Sequence, residues 1–313
     1  MISRLESVEA NFNEDYSILE LTRSHEDTVN WLFSKNLLKE KITCVRCFRN
    51  MMYKAKDSSK ADRFRYRCAD QSCRKTASIR TGSFFESSKL TLMEYTRIVF
   101  HYFLKNVSRT EVLKAISVDK NTITDIYSKM REYISHCVKA EEITYMLGDV
   151  VDDVDDINLG VEVDESLFSH LDGDQAWVLG IYDRRITEAR AFVVENRSST
   201  CLIPIIKENV IPGARIYTDG WLAYTGLADH GYDHRVVNHS VGFGEGFFTT
   251  NHIESVWSEL KALTKHSQGS IIGSGFNKKE GIQHHIDVGI WRRRNKGRNL
   301  IEELCFVLNL LYP

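Results

Sequence analysis

The chain has 313 residues, 42% of them hydrophobic and 27% charged, with a formal net charge of −2. That length supports about two or three domains with apolar cores, and no run of 18 apolar residues offers a membrane span. The opening residues MISRLESVEANFNEDY lack the basic-then-apolar layout of a secretory leader, so the seven cysteines are expected as thiols or metal ligands in a reducing compartment rather than as disulfides.

The small net charge conceals segregation. Lys41–Arg80 holds 12 Lys/Arg against 3 Asp/Glu, Glu141–Ser166 holds 10 Asp/Glu and no Lys/Arg, and Trp291–Leu300 holds five basic residues and no acid. Basic ends around an acidic middle suit a protein that touches a polyanion and also holds cations.

Residues 1–40 read as an arm and a helix. The arm, 1–22, is polar and irregular. Ser24 caps a helix that begins at His25 with Glu26 and Asp27 in its first turn, carries Val29, Leu32, Phe33 and Leu37 as an apolar stripe, and ends near Lys39. Residues 41–81 follow. Cys44-Val-Arg-Cys47, twenty residues, then Cys68-Ala-Asp-Gln-Ser-Cys73 is the spacing of a zinc ribbon, in which four thiolates on two knuckles close a tetrahedral site around one structural Zn2+. Coincidental buried thiols are the plain alternative. The intervening Phe64-Arg-Tyr-Arg67 marks a hairpin, and so polar a piece buries little core, so metal is expected to stabilise it. Its cations, Arg63, Arg65 and Arg67 among them, suit phosphate contacts, with protein binding as the competing role.

Residues 82–140 read as a helical, helix-turn-helix-like domain. Thr91 starts a helix to about Lys105, Ser108 caps Arg109–Ile116, Ser117-Val118 is a turn, and Asp119 or Asn121 caps a third helix to about Lys139. The start of that last helix, with Lys120, Asn121, Thr122 and Thr124, is the part that would enter a major groove. An ordinary helical bundle is the alternative. Residues 141–158 form an acidic linker, whose run Asp152-Asp153-Val-Asp155-Asp156 suits cation binding, with a solvated run as the plainer reading.

Residues 159–268 change character. LGVEVDESLF (159–168) alternates Val161, Val163 and Leu167 with Glu162, Asp164 and Ser166, the period-2 pattern of a strand with one polar face. Gln175–Tyr182 and Ala189–Val194 are the next strands, with Arg184-Arg185 in the turn between. Thr200–Asn209 is a helix with Pro204 in its first turn, Ala214–Trp221 a strand ending at Asp219, 221–229 a short helix, and His234–Asn238 a fifth strand. A Gly-rich loop, Val241–Gly246, precedes the helix of Thr249–Lys261. Three antiparallel strands followed by alternating α/β units is the ribonuclease-H-like order, an α/β core with a mixed five-stranded sheet and flanking helices. In that order strands one and four are adjacent, which brings Asp164 and Asp219 together. Residues 269–313 are a basic helical segment, with a helix over Lys278–Arg294, the cluster Arg292, Arg293, Arg294 through Arg298, and an apolar helix Leu300–Leu311. The cluster suits a grip on nucleic acid, an import signal or a solvated face.

Acidic residues form strands poorly, so carboxylates in mid-strand need a reason. A solvated edge strand is one. Asp164, Asp219 and Glu254, two at strands and one on a helix, are another: a three-carboxylate site for a hard divalent cation.

VEVDES, YTDGW followed by Tyr224, GYDHRVVNHS and TNHIESVWSELK resemble DDE transposases of the Merlin type and their bacterial insertion-sequence relatives, over roughly residues 25–300. The zinc ribbon ahead of the core fits the same family. The resemblance implies binding of transposon terminal inverted repeats, and metal-dependent DNA cleavage and strand transfer with two Mg2+ or Mn2+ ions on Asp164, Asp219 and Glu254. It further implies a phosphate contact from Lys261, target DNA as second substrate, and a homodimer or higher homo-oligomer. Asn251 is an alternative third ligand, three residues before Glu254 on the same helix face. His252 and His239 are candidates for phosphate contact, though a lone His is usually structural. A transposase-derived DNA-binding protein and a structure-specific nuclease are the competing functions. The expected location is the nucleus in a eukaryotic host and otherwise the nucleoid in the cytoplasm.

Overall fold

The computed structural model describes residues 14–48, 51–150, 159–171, 174–237, 250–265 and 278–312. They form two compact units, Met1–Ile126 with Gly297–Pro313, and Tyr127–Lys296. Among the described residues no helix is long and apolar enough to cross a membrane.

The first unit opens with helices α1 (Glu14–Leu21) and α2 (His25–Ser34). The first corrects the sequence reading of an irregular arm, because Ile18 is buried and Thr22, just past the helix, takes two hydrogen bonds from Arg97. Helix α2 starts where its cap predicts, with the Ser24 hydroxyl accepting the Asp27 N–H at 3.1 Å. Strands β1 (Lys41–Thr43), β2 (Met51–Lys56), β3 (Phe64–Cys68) and β4 (Thr76–Ser78) then form an antiparallel sheet in sequence order. Along β3, Phe64, Tyr66 and Cys68 point inward while Arg67 faces solvent. A buried bidentate pair, Arg80 to Asp62 at 2.6 and 2.8 Å, closes the ribbon, and Asp62 also accepts the N–H of Leu92.

Helix α3 (Leu92–Arg97) begins with a capping box, Thr91 and Glu94 exchanging hydrogen bonds, and runs on as a π-helical segment Ile98–Phe103. A second box, Ser108 with Glu111, starts α4 (Arg109–Ala115). After a short turn comes α5 (Lys120–Glu142), with Asp119 accepting the Asn121 N–H at 2.8 Å. Helix, tight turn and longer helix therefore follow one another as expected. Lys120 and Asn121 are exposed, but Thr124 is not available to a groove: it is buried, donates to the Lys120 carbonyl and accepts from Arg109 at 2.7 Å.

The second unit is built on strands β5 (Val161–Leu171), β6 (Asp174–Asp183), β7 (Glu188–Val194), β8 (Arg215–Thr218) and β9 (Asp233–Val236), in the order β7-β6-β5-β8-β9. Strands β5–β7 pair antiparallel, and β8 and β9 run parallel to β5. This is the mixed five-stranded, ribonuclease-H-like sheet. It corrects the edge-strand alternative, because β5 is central and buried on both faces, Glu162, Glu165 and Ser166 included. One face packs Val161, Val163, Leu179, Ile181 and Ile216 against α6 (Ser199–Asn209) and a 3₁₀ helix, Leu222–His230. Pro204 is the sixth residue of α6, past the first turn where it was expected.

Helices α7 (Asn251–Lys265) and α8 (Lys278–Arg294) belong to the same unit, and α9 (Leu300–Leu311) to the first. Two glycines allow close approach. A Cβ on Gly180 of β6 would stand 2.4 Å from the ring of Trp257, and one on Gly289 of α8 would stand 2.2 Å from Leu260. Helix α7 therefore lies directly on the sheet, and α8 lies on α7. Gln283 of α8 gives its carbonyl to the Val193 N–H and its amide to the Ala191 carbonyl, which covers the edge of β7.

Candidate active site and metal centre

Asp164 lies in mid-β5, opposite Gly180. In the parallel pairing of β5 with β8, Val161 partners Ile216 and Glu162 partners Tyr217. The same register carried two residues on sets Asp164 beside Asp219, just past the end of β8. Glu254 is exposed in the first turn of α7.

Helix α7 is tied to β5 on both sides of Glu254. Ahead of it, the buried Glu162 carboxylate accepts the Ile253 N–H at 3.0 Å and pairs with His252 Nδ1 at 2.6 Å. It satisfies one of the backbone donors that a helix start leaves open, and its charge suits the positive end of the helix dipole. Behind Glu254, the Trp257 indole N–H donates to Asp164 at 2.7 Å. Burial pushes the Asp164 carboxyl above the usual carboxylate range. The charges of Asp219 and Glu254 push it the same way, and the Trp257 bond opposes them. Asp164 thus feels both of the other carboxylates.

The acids of β5 divide sharply. Glu162 has Arg184 at 2.8 Å, with the guanidinium stacked 4.0 Å from the Tyr217 ring, and Glu165 has Arg197 at 3.2 Å. The hydroxyl of Tyr224 lies buried against Glu165. Among the described residues no ion pair is made to Asp164, Asp219 or Glu254. Carboxylate oxygens without a cation partner are the donor type that a hard dication takes. The oxygens are more widely spread than the cysteine sulfurs, which are the group of metal-ligand atoms, among the described residues, that all lie within 4.8 Å of one another.

Those sulfurs belong to Cys44, Cys47, Cys68 and Cys73. Cys44 and Cys73 are 3.7 Å apart and Cys47 and Cys68 3.8 Å, and Cys44 accepts the Arg46 N–H at 3.5 Å. A tetrahedron with Zn–S bonds of about 2.3 Å has edges of about 3.8 Å, so the donor set fits one zinc.

Residues 161–270 match the ISXO2-like transposase domain. An uncharacterized transposase-like protein of Haemophilus influenzae is 38% identical over 103 residues, 33% of this chain and 78% of that protein. The chain belongs to the ISXO2-like transposase family. Two solved structures are fainter likenesses. The catalytic core domain of BIV integrase is 11% identical with a TM-score of 0.31, over 44% of this chain and 84% of that one. A chain of the simian T-cell lymphotropic virus intasome, in complex with PP2A regulatory subunit B56 gamma, is 12% identical at 0.34, over 63% and 68%.

Other residues singled out in this ISXO2-like transposase divide as follows. The Lys261 ammonium sits 5.7 Å from the Phe168 ring, two turns beyond Glu254. Asn251 is exposed at the first position of α7. His252 is committed to Glu162 and stacks on Tyr182 at 5.2 Å, a structural role. Arg65 pairs with Asp57 and is half-buried, whereas Arg63, which donates to the Ser58 carbonyl, and Arg67 are both exposed. Arg292 is half-buried, Arg293 pairs with Glu259, and Arg294 pairs with Glu188, Glu142 and Glu141. His239, Asp152–Asp156, Val241–Gly246 and Ser267–Phe276 lie outside the described residues. Glu162 and Trp257 are the positioning residues that the sequence reading missed. Glu162 shared the polar stripe with Asp164, and Trp257 lies one helical turn from Glu254; those were the signals available.

Proposed function

We propose that this transposase, of the Merlin type or a bacterial insertion-sequence relative, binds the terminal inverted repeats of its element and cuts and joins DNA strands with Mg2+ or Mn2+ held by Asp164, Asp219 and Glu254. One observation carries the reading. On the central strand Glu162 and Glu165 each have an arginine, while Asp164 has none and feels two further carboxylates. Acids left facing one another weaken a fold unless a cation joins them. Asp164, Asp219 and Glu254 would hold a pair of divalent ions, which would supply activation of the attacking water and charge stabilisation at the departing 3′ oxygen. The chain's own residues set the frame: Trp257 fixes the Asp164 carboxylate, and Glu162 fixes the start of α7 so that Glu254 is presented to the same place. Lys261 is suited to a DNA phosphate, and Asn251, three residues before Glu254 on α7, is the alternative third ligand.

Arg63, Arg65, Arg67 and the α5 residues Lys120, Asn121 and Thr122 are assigned to DNA contact; Arg293 and Arg294 are already held by Glu259, Glu188, Glu142 and Glu141, so the run Arg292, Arg293 and Arg294 is a secondary candidate. Exposed Arg67, Lys120 and Asn121 are the first to test. Joining two ends requires at least a homodimer. The experiment is incubation of the full chain with DNA carrying the element's ends, in Mg2+ or in EDTA. Cleavage at the ends in Mg2+ but not in EDTA is expected; cleavage that persists in EDTA, or none in Mg2+, ends the reading.

The ribbon gives a separate prediction. Metal analysis should return one zinc per chain, and Cys68→Ala should lose it. Because a structural zinc supplies folding free energy of about 10 kcal/mol or more, proteolysis within 41–81 should then accelerate sharply. Unchanged protease resistance after zinc loss would mean that the sheet stands without its metal.

A further inference from the structure

Trp221 is the second residue past Asp219, and it is left 41% exposed. It is nevertheless held at three points. Its backbone N–H donates to Asp219 Oδ1 at 2.9 Å, its indole N–H donates to the Arg197 carbonyl at 3.2 Å, and the Arg197 guanidinium lies 4.3 Å from its ring. Arg197 is itself fixed, with its other side 4.4 Å from the Trp177 ring and its Nε bonded to Glu165. The stack Trp177–Arg197–Trp221 therefore ends in an indole whose inner face is covered by the cation, so the exposed area lies on the outer side. Leu222 beside it is 77% exposed.

An exposed apolar ring usually stays mobile, because ordering a side chain opposes stability unless contacts offset it. This ring is ordered and open together, at the carboxyl end of β8, where the sheet presents Asp219. Flat, rigid, π-faced and next to the acids, it has the properties of a stacking surface for a nucleobase, which every base can use irrespective of sequence.

We propose that Trp221 is the platform on which one unstacked nucleobase, adjoining the phosphate that faces Asp164 and Asp219, is held. The proposal rests on the reading of DNA as substrate and adds to it that the substrate is locally unpaired at the site. Trp221 is a positioning residue: it touches the base, and through it fixes the phosphate.

The test uses the full chain and a forked DNA, a duplex opening into two single strands, with 2-aminopurine stepped across the junction and Ca2+ in place of Mg2+. Wild type should quench the 2-aminopurine signal at one position beside the junction. Trp221→Ala should abolish that quench and weaken binding of the fork about tenfold, with fully paired duplex of the same length bound as before. Trp221→Phe keeps a ring and should restore most of the quench. Circular dichroism equal to wild type separates loss of the platform from loss of fold. An undiminished quench in Trp221→Ala overturns the proposal, and so does equal weakening for fork and duplex. Glu254→Gln provides the independent arm. If the quench persists there but wild type never cuts in Mg2+, the cleavage reading fails and the platform stands. If wild type cuts and no position is quenched, the platform fails alone. Failure to bind either DNA overturns both.

Discussion

Asp164→Asn should abolish metal-dependent cleavage, by about a thousandfold, while raising the stability of the fold at neutral pH. The first effect corresponds to roughly 4 kcal/mol of charge stabilisation at the reacting phosphate, which a metal missing an anionic ligand cannot supply. The second follows from the surroundings of the carboxyl. Burial, and then the charges of Asp219 and Glu254, lift its proton affinity in the folded chain above that in the unfolded chain. A carboxyl so raised makes the wild type lose stability as pH climbs from about 4, the unfolded value, through the folded one. Asparagine has no such titration. Its carbonyl can still accept the Trp257 indole N–H, which now meets Asp164 at 2.7 Å, so α7 should stay docked. The variant should therefore melt above wild type at pH 7.5 and level with it below about pH 4. End cleavage followed on gels and thermal melts at the two pH values check the pair of outcomes. Cleavage at the wild-type rate would remove Asp164 from the site, and a lower melting point at pH 7.5 would show that the carboxylate is structural.

The parts of the molecule that were legible from sequence are those governed by local rules. Ser24, Thr91 and Ser108 start helices because a short hydroxyl side chain can accept a nearby backbone N–H, and the last two bring a glutamate three residues on. The helix Lys278–Arg294 and the alternation in β3 are equally local. The adjacency of Asp164 and Asp219 needed one further step, the strand order, which chain order and right-handed connections largely restrict. What stayed hidden depends on partners far away in the chain. Period-2 alternation puts Glu162 and Asp164 on the same side of a strand, but it does not say that one will meet Arg184 and the start of α7 while the other meets no cation. The Arg292–Arg294 run looks like a surface patch for the same reason. Its partners Glu141, Glu142, Glu188 and Glu259 come from three other elements. Helix α1 was missed because eight residues carry too few turns for a clear periodicity, and Ile18 becomes buried only once the rest of its unit is present.

Truncating Glu162 to alanine should be the most destabilising single change in the second unit's polar core, at about 3–5 kcal/mol. The carboxylate is fully buried and accepts from three donors: the Arg184 Nε at 2.8 Å, His252 Nδ1 at 2.6 Å and the Ile253 N–H at 3.0 Å. Alanine takes from Arg184, whose side chain is only 5% exposed, the carboxylate it pairs with, and it removes the acceptor of the Ile253 N–H. Against a total of about 5–15 kcal/mol for a domain, that is enough to unfold a substantial fraction of molecules on modest warming. A double variant separates the fold from the site. Glu162→Gln with Arg184→Met removes both charges and keeps an acceptor for the Ile253 N–H, so chemical denaturation should show most of the lost stability restored, because a buried ion pair exchanged for similar volume is often close to neutral. Cleavage should recover only in part, because a neutral amide holds the start of α7 less firmly than a carboxylate does. Restored stability with restored cleavage would make Glu162 an anchor of the fold alone. An alanine variant losing less than about 1 kcal/mol would mean that the pair with Arg184 is not buried in solution, since only solvent-exposed pairs contribute so little.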